Sequence, residues 1–181
     1  MSRFEHLDRL LARFADEGPA GCACAVAQHG EVLYEGYHGY ASLEKQIKMN
    51  PDTVFRLFSM TKVIVCTAAM ILYERGEFLL NEPLYRYIPE YRDARVVVSD
   101  ENGKIITKPV EHPIAVKDTF RMSVGLPYPQ GDFATAREMR RVKAELEEKY
   151  GKYDLMTEVR AMAEVPLAFE PGTRWMYGYG H

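Results

Sequence analysis

Residues 55–75 read FRLFSMTKVIVCTAAMILYER. After the extended residues 55–57, the segment 59–75 is apolar almost all round, and Gly76 follows it as a typical stop residue for a helix. A helix that is apolar on every side belongs in the interior of a protein. We therefore predict a buried helix beginning at Ser59, with a polar pair in its first turn that needs an explanation.

That polar pair is Ser59 and Lys62. Residues three apart on a helix lie on one face, within contact distance. The free N–H groups and partial positive charge of the helix N-terminus favour an oxyanion forming at Ser59. A lysine held against an apolar helix loses solvation, which favours a neutral amine able to take the serine proton. The pair thus predicts a serine nucleophile with a lysine base; the alternative is an N-cap serine beside a lysine that extends to solvent.

The Ser-x-x-Lys spacing is weak evidence by itself, because Ser42 and Lys45 repeat it. The second occurrence lies in a polar, charged connection with no apolar helical pattern after it. A polar pair beside the most apolar helix is more informative, since unpaired burial of polar groups is costly. We therefore expect chemistry at Ser59 and none at Ser42.

The sequence before residue 59 predicts one helix and one hairpin. Apolar residues at helical spacing over residues 4–14 end at Gly18-Pro19, which predicts an amphipathic helix. Strands are predicted at residues 22–28 and 32–40, joined by a tight turn at His29-Gly30. We expect this hairpin to be largely buried.

After the apolar helix the pattern is mostly helical. Asn81-Glu82-Pro83 can cap a short helix running to Tyr87. Residues 95–98 and 105–108 flank Asn102-Gly103, which predicts a hairpin on the surface. Two further helices are predicted, one opened by a capping box of Thr135 and Glu138 with Met139, Val142, Leu146 and Tyr150 on its apolar stripe, and one capped by Asp154.

This organisation predicts several helices beside a sheet that is incomplete. A lone hairpin leaves both edges and one face without partners, so the sequence reads as a truncated piece. We assign residues 1–58 to an N-terminal helix and sheet hairpin of an α/β part. Residues 59–181 form the nucleophile helix and a mostly helical part, and the C-terminal sheet strands are absent from the sequence.

Composition excludes several function classes. A net charge of −3 and a pI near 6.0 give no reason to expect nucleic acid or an anionic membrane as partner. The longest apolar run, residues 63–72, is too short to span a bilayer, and no export signal is visible, so we expect a cytoplasmic protein. Cys22, Cys24 and Cys66 are expected as small buried thiols in a reducing compartment. The five histidines show no ligand spacing, so we expect neither a metal nor a cofactor.

Six collinear segments carry a resemblance to a known family. They are GYASLE (39–44), PDTVFRLFSMTK (51–62), NEPL (81–84), YIPE (87–90), SVGLP (123–127) and FEPGTRWMY (169–177). Together they resemble the N-terminal half of the class C β-lactamases and the esterases related to penicillin-binding proteins, whose signature includes S-x-x-K. The resemblance implies an α+β fold of the β-lactamase/transpeptidase-like kind, with an antiparallel sheet flanked by helices and a mostly helical domain, and with the sheet incomplete in this chain.

The resemblance also implies roles for individual residues. Ser59 would attack a carbonyl to form an acyl-enzyme, Lys62 would accept or relay the proton, and Tyr177 matches the catalytic tyrosine of the family's Y-x-N motif. The third position of that motif is Tyr179, which we place at the substrate-binding rim. The family's third motif (K-T-G, H-x-G or W-x-G) lies on a C-terminal strand that this sequence does not contain.

The residue at position 179 favours one substrate class. An Asn side chain donates to and accepts from an amide, whereas a phenol offers one hydroxyl and a bulky ring. We therefore predict a serine carboxylesterase acting on a small ester or lactone, completed by the missing C-terminal half of the same protein. The alternatives are a β-lactamase or D,D-peptidase-like enzyme acting on a β-lactam or amide, and, in another class, a catalytically silent binding domain on the same scaffold.

Overall fold

The computed structural model describes residues 3–99, 102 and 104–181. The chain divides into two units, Met1–Phe58 and Ser59–His181. The first unit contains helix α1 (Glu5–Glu17) and strands β1 (Gly21–Gln28), β2 (Glu31–Ser42) and β3 (Ile47–Lys48). The strands form an antiparallel sheet in the order β1-β2-β3.

The predicted N-terminal helix and hairpin are confirmed. His29 and Gly30 have φ of 51° and 84°, and positive φ at both positions is what a tight two-residue hairpin turn requires. The short third strand was not predicted. The expected burial of the hairpin is wrong, because most β1 and β2 residues are half-buried or exposed. Strand periodicity shows which face a residue occupies, but it does not show how completely that face is covered.

A 3₁₀ turn, Phe58–Met60, includes the last residue of the first unit and the first two of the second, and helix α2 (Thr61–Glu74) follows it. The other elements of the second unit are strands β4 (Arg95–Ser99) and β5 (Ile105–Pro109), helices α3 (Val116–Phe120), α4 (Ala134–Tyr150) and α5 (Leu155–Ala161), and 3₁₀ turns Leu84–Arg86, Pro89–Asp93 and Met162–Glu164. The helix predicted to follow Asn81-Glu82-Pro83 is therefore a single 3₁₀ turn. The hairpin pairing of β4 with β5 is confirmed, while Gly103 of its predicted turn lies outside the described residues.

Helix α2 is not buried, contrary to the prediction from its composition. All 14 of its residues are described, and none is buried. Val63 is 70% exposed, and Ile64 and Val65 are more than half exposed. The apolar composition shows how much surface the helix can bury, whereas its actual burial depends on which other segments cover it.

The core of the second unit lies under helix α4. Met139, Val142 and Leu146 are buried on one stripe, as predicted, but Tyr150 is 49% exposed. The predicted capping box is wrong, because Phe133 occupies the N-cap. Thr135 lies within the first turn of the helix and is buried, at 1% exposure. The cap at Asp154 is confirmed, since its carboxylate accepts a hydrogen bond from the Thr157 backbone N–H at 2.7 Å.

Strand β4 is part of this core, so the predicted surface position of its hairpin is wrong. Val96 is 1% exposed and belongs to the buried cluster. The backbone N–H of Leu167 donates to the Arg95 carbonyl, and the N–H of Val97 donates to the Leu167 carbonyl. This bridge fastens the segment that leads towards residues 169–181 to the core.

Candidate active site

Ser59 lies in the 3₁₀ turn that leads into α2, and Lys62 lies in the first turn of the helix. The Lys62 ammonium donates to the Ser59 hydroxyl, with 3.5 Å between Nζ and Oγ. Ser59 is exposed and Lys62 is half-buried. The structure therefore places both residues as the helical spacing predicts, with the serine accessible to a substrate.

Phe58, directly before the serine, has a φ of 46°. A bulky residue in this region of backbone conformation is an outlier that costs about 1–3 kcal/mol and is found preferentially at functional sites. Phe58 begins the 3₁₀ turn that leads into α2. This turn presents Ser59 at the N-terminal end of the helix, where N–H groups have no partner within the helix.

Tyr177 lies beside both residues of the pair. The Lys62 Nζ atom is 5.2 Å from the centre of its ring. A hydrogen bond with the Ser59 hydroxyl and the positive charge of Lys62 lower the pKa of the Tyr177 phenol, although desolvation opposes this shift. The structure thus brings the three sequence-predicted catalytic residues together, although Tyr177 is more than a hundred positions away in the chain.

Tyr177 is positioned by backbone pairing between two segments. The N–H of Met176 donates to the Met122 carbonyl at 2.9 Å, and Pro127 and Gly178 form an antiparallel bridge. A Cβ atom at Gly178 would lie 2.4 Å from the Leu126 carbonyl oxygen and 2.8 Å from the Pro127 Cα, which is too close for any side chain. Glycine is therefore required at position 178 if the two segments are to pair this closely.

The end of this segment is also held in place. The ring of His181 contacts the Thr119 carbonyl through Nδ1 at 3.2 Å and the Cys66 thiol through Nε2 at 3.5 Å. Because a carbonyl oxygen only accepts, Nδ1 carries the proton and Nε2 accepts from the thiol. The segment that carries Tyr177 is thereby attached to α2 one turn beyond Lys62.

Tyr128 is a member of the site that the sequence analysis did not find. Its hydroxyl accepts a hydrogen bond from Lys62 Nζ at 3.4 Å, and its ring meets that of Tyr177 edge-on with centres 5.7 Å apart. The only signal for it was its position directly after the SVGLP segment. Twelve tyrosines occur in the chain, so a tyrosine without a motif could not be singled out.

Tyr179 is half-buried and also contacts Tyr128. The two rings meet edge-on with centres 4.7 Å apart. The ammonium group of Lys143 lies 5.0 Å from the centre of the Tyr179 ring. The predicted position of Tyr179 at the substrate rim stays a prediction, and the contacts of this ring with Tyr128 and Lys143 are what the structure adds.

The second Ser-x-x-Lys occurrence has a different geometry. The Ser42 hydroxyl accepts a hydrogen bond from the backbone N–H of Lys45 at 3.2 Å, which is a local turn at the end of β2. The hydroxyl is thus engaged by the main chain, whereas the hydroxyl of Ser59 meets the lysine side chain. This contrast makes Ser42 a useful internal control.

The described residues hold neither a cluster of metal ligands nor a helix able to span a membrane. Within them, no group of three or more His, Cys, Asp or Glu side chains is arranged to hold a metal ion. The three cysteines carry free thiols and are half-buried. No helix in the described part of the chain combines the length and the apolar character that crossing a membrane requires.

Comparison with known proteins decides the family. The family model described as Beta-lactamase matches residues 7–179. The chain belongs to this family. The match includes Ser59, Lys62, Tyr128, Tyr177 and Tyr179, and it confirms the resemblance predicted from the six segments.

The similar proteins within the β-lactamase family include esterases and acyltransferases. Esterase EstB of Burkholderia gladioli is 32% identical over 157 residues, which cover 87% of this chain and 37% of EstB. The structure of EstCE1, a hydrolase with promiscuous acyltransferase activity, matches with a TM-score of 0.76 and 26% identity over 95% of this chain and 42% of that one.

More distant structures agree on the fold. Unliganded simvastatin synthase LovD of Aspergillus terreus matches with a TM-score of 0.75 and 21% identity over 99% of this chain and 46% of that one. The predicted β-lactamase/transpeptidase-like fold is thus confirmed. The chain spans less than half the length of these relatives.

Proposed function

We propose that the complete protein is a serine hydrolase that works through an acyl-enzyme, with Ser59 as nucleophile, Lys62 as base and Tyr177 as proton relay. The observation that supports this most strongly is the convergence of the three groups: Lys62 is within hydrogen-bond reach of Ser59, and both lower the pKa of Tyr177. A nucleophile, a base and a third group that contacts both is the arrangement that nucleophilic catalysis requires.

In the proposed acylation step, the acyl group of the substrate is transferred to Ser59. The Ser59 oxygen bonds to the carbonyl carbon of the substrate while its proton passes to the lone pair of Lys62 in the neutral amine form, which becomes an ammonium. The tetrahedral oxyanion lies near the N–H groups at the start of α2, including that of Ser59. The bond between carbon and the leaving oxygen then breaks, and the proton returns through Tyr177 to the departing alcohol. Water hydrolyses the acyl-enzyme by the same steps in reverse order, releasing the acid and restoring Ser59.

Among possible substrates, we propose a small ester or lactone. Tyr179 stands where an amide-recognising Asn would be, and its surroundings are the Tyr128 ring and the Lys143 ammonium. A β-lactam or peptide brings an acylamino group, and burying such a group unmatched costs about 1–3 kcal/mol. EstB, whose name describes an esterase, supports the same substrate class. No nucleic acid, membrane, metal or cofactor takes part in the proposed reaction, and we propose a cytoplasmic setting.

The substrate proposal predicts a ratio of two rates. The complete enzyme should hydrolyse a short-chain para-nitrophenyl ester with a kcat/KM roughly tenfold to a hundredfold above that for nitrocefin, because of the unmatched amide. Tyr179→Asn should lower this ratio. Faster opening of nitrocefin than of the ester by the unmodified enzyme would favour the β-lactamase or D,D-peptidase alternative. Absence of both reactions and of labelling by a fluorophosphonate would favour the silent binding domain.

The close approach at Gly178 predicts a second effect. Gly178→Ala forces the segments around Pro127 and Tyr177 apart, since the new Cβ would overlap main-chain atoms. We expect ester hydrolysis to fall by about 100-fold, in line with the cost of an ångström of misplacement in a catalytic group. Steady-state kinetics on the complete protein measure this.

Gly76→Ala is the control for Gly178→Ala. Gly76 has a φ of 76°, so the substitution strains the backbone, but its Cβ would meet nothing within 4 Å. It should lower the melting temperature while leaving kcat near the original value. Equal activity of both variants would show that the pairing at Gly178 does not position Tyr177.

A further inference from the structure

A half-buried ion pair lies close to the site but outside it. Lys143 on α4 and Glu158 on α5 are joined at 2.5 Å between Nζ and Oε1, with side-chain exposures of 24% and 19%. The pair of Arg141 and Glu145, also on α4, is far more exposed, at 44% and 56%. An ion pair withdrawn from water costs desolvation and needs further hydrogen bonds to be favourable, so its other partners are informative.

The further partner of Lys143 is Tyr179. The Lys143 ammonium lies 5.0 Å from the centre of the Tyr179 ring. Partial desolvation lowers the pKa of Lys143, but hydrogen bonds to Glu158 and to the Tyr179 hydroxyl outweigh it and raise that pKa to about 12. Lys143 is therefore charged at all ordinary pH values, and its ammonium faces the Tyr179 side chain.

The ring of Tyr179 in turn limits where Tyr128 can lie. The two rings meet edge-on with centres 4.7 Å apart, and the Tyr177 ring contacts Tyr128 as well. The Tyr128 hydroxyl then meets Lys62 Nζ at 3.4 Å. Continuous contacts thus lead from the ion pair between α4 and α5 to the amine that faces Ser59.

We propose that Tyr179 is a positioning residue: held by Lys143 and Glu158, it keeps the Tyr128 hydroxyl against Lys62, so that the Lys62 amine stays directed at Ser59. This inference rests on the proposed function. A lysine has a flexible stem of four carbons and freely rotating donors, so its amine needs fixed partners to remain in one place. Tyr128 and Ser59 are such partners, and of these two Tyr128 packs against the half-buried ring of Tyr179.

The positioning role concerns the Tyr179 hydroxyl, beside the rim position proposed for its ring, and it differs measurably from a role in which that hydroxyl binds the substrate. Loss of a positioning contact lowers kcat and leaves KM near its original value, because the substrate contacts are unchanged. Loss of a substrate contact raises KM. A purely structural role lowers the melting temperature and leaves both constants of the folded fraction unchanged.

The test uses Tyr179→Phe and Lys143→Met in the complete protein, with a para-nitrophenyl ester as substrate. Tyr179→Phe keeps the ring and removes only the hydroxyl, which contributes to the raised pKa of Lys143. We expect kcat to fall by about 10- to 100-fold in each variant with KM within about twofold. The double variant should lose no more than the stronger single variant, because the two residues act as one unit. Lys143→Arg, which keeps the charge and the donors, should recover most of the kcat lost in Lys143→Met.

Arg141→Met is the matched control, since it removes an ion pair from the same helix without a contact to the tyrosines. It should leave kcat unchanged. Original kcat in Tyr179→Phe, a change confined to KM, or an equal loss in Arg141→Met would each overturn the inference. If Lys143→Met does not fold, Tyr179→Phe decides alone. Ser59→Ala is measured alongside: hydrolysis that survives in it contradicts the proposed function, whereas an inactive Ser59→Ala with a fully active Tyr179→Phe contradicts only the positioning role.

Discussion

Ser59→Ala is expected to abolish acyl transfer and fluorophosphonate labelling in the complete protein. The alanine variant has no atom that can bond to the carbonyl carbon, so the loss should be about 10⁴-fold or more in kcat. The hydroxyl of Ser59 is exposed and small, so the fold should tolerate its removal. Hydrolysis of a para-nitrophenyl ester, together with mass spectrometry of the labelled protein, measures both effects.

Ser42→Ala is the control, because Ser42 repeats the Ser-x-x-Lys spacing. Its hydroxyl accepts a hydrogen bond from the Lys45 main-chain N–H in a turn. We expect rate and labelling within about twofold of the original protein, in line with a surface substitution. Labelling that persists in Ser59→Ala and disappears in Ser42→Ala would reverse the assignment.

Lys62→Met is expected to produce the second-largest loss, about 10²- to 10⁴-fold in kcat, which is the range for a general base. Lys62→Arg separates the role of Lys62 as a proton acceptor from the effect of its positive charge. An arginine keeps the positive charge but stays protonated at any ordinary pH, so it cannot accept the proton of Ser59. If Lys62 is the base, both variants should be similarly inactive. A largely active Lys62→Arg would mean that only the charge is needed.

The same pair of variants predicts a change in pH dependence. The Lys62 charge helps to lower the pKa of Tyr177, so Lys62→Met should raise that pKa and move the alkaline limb of the residual activity to higher pH. Lys62→Arg keeps the charge and should leave the limb where it is. Lys117→Met is the control. It removes an ammonium group that donates a hydrogen bond to Asn81, and it should change neither the rate nor the alkaline limb of the pH profile.

Local patterns predicted much of the fold because local interactions determine those features. The turn at His29-Gly30, the cap at Asp154 and the buried stripe of α4 each depend on residues within a few positions of one another. The Thr135 capping box failed because burial against the core was available to that side chain, and packing outweighs a surface cap. The predicted burial of Tyr150 was wrong because the apolar stripe of α4 continues past the end of the core.

By itself, the sequence determined the family, through six collinear segments, and the pairing of Ser59 with Lys62, through the geometry of a helix. Only the tertiary structure decided which further side chains meet that pair. Tyr128 reaches Lys62 because Pro127 bridges Gly178, and Tyr179 meets Lys143 because the same segment passes beside α4. Contacts between segments so far apart in the chain depend on the path of the backbone in space, which no spacing of residues along the sequence encodes. For the same reason the apolar helix α2 could be recognised from its composition, while its exposure could not.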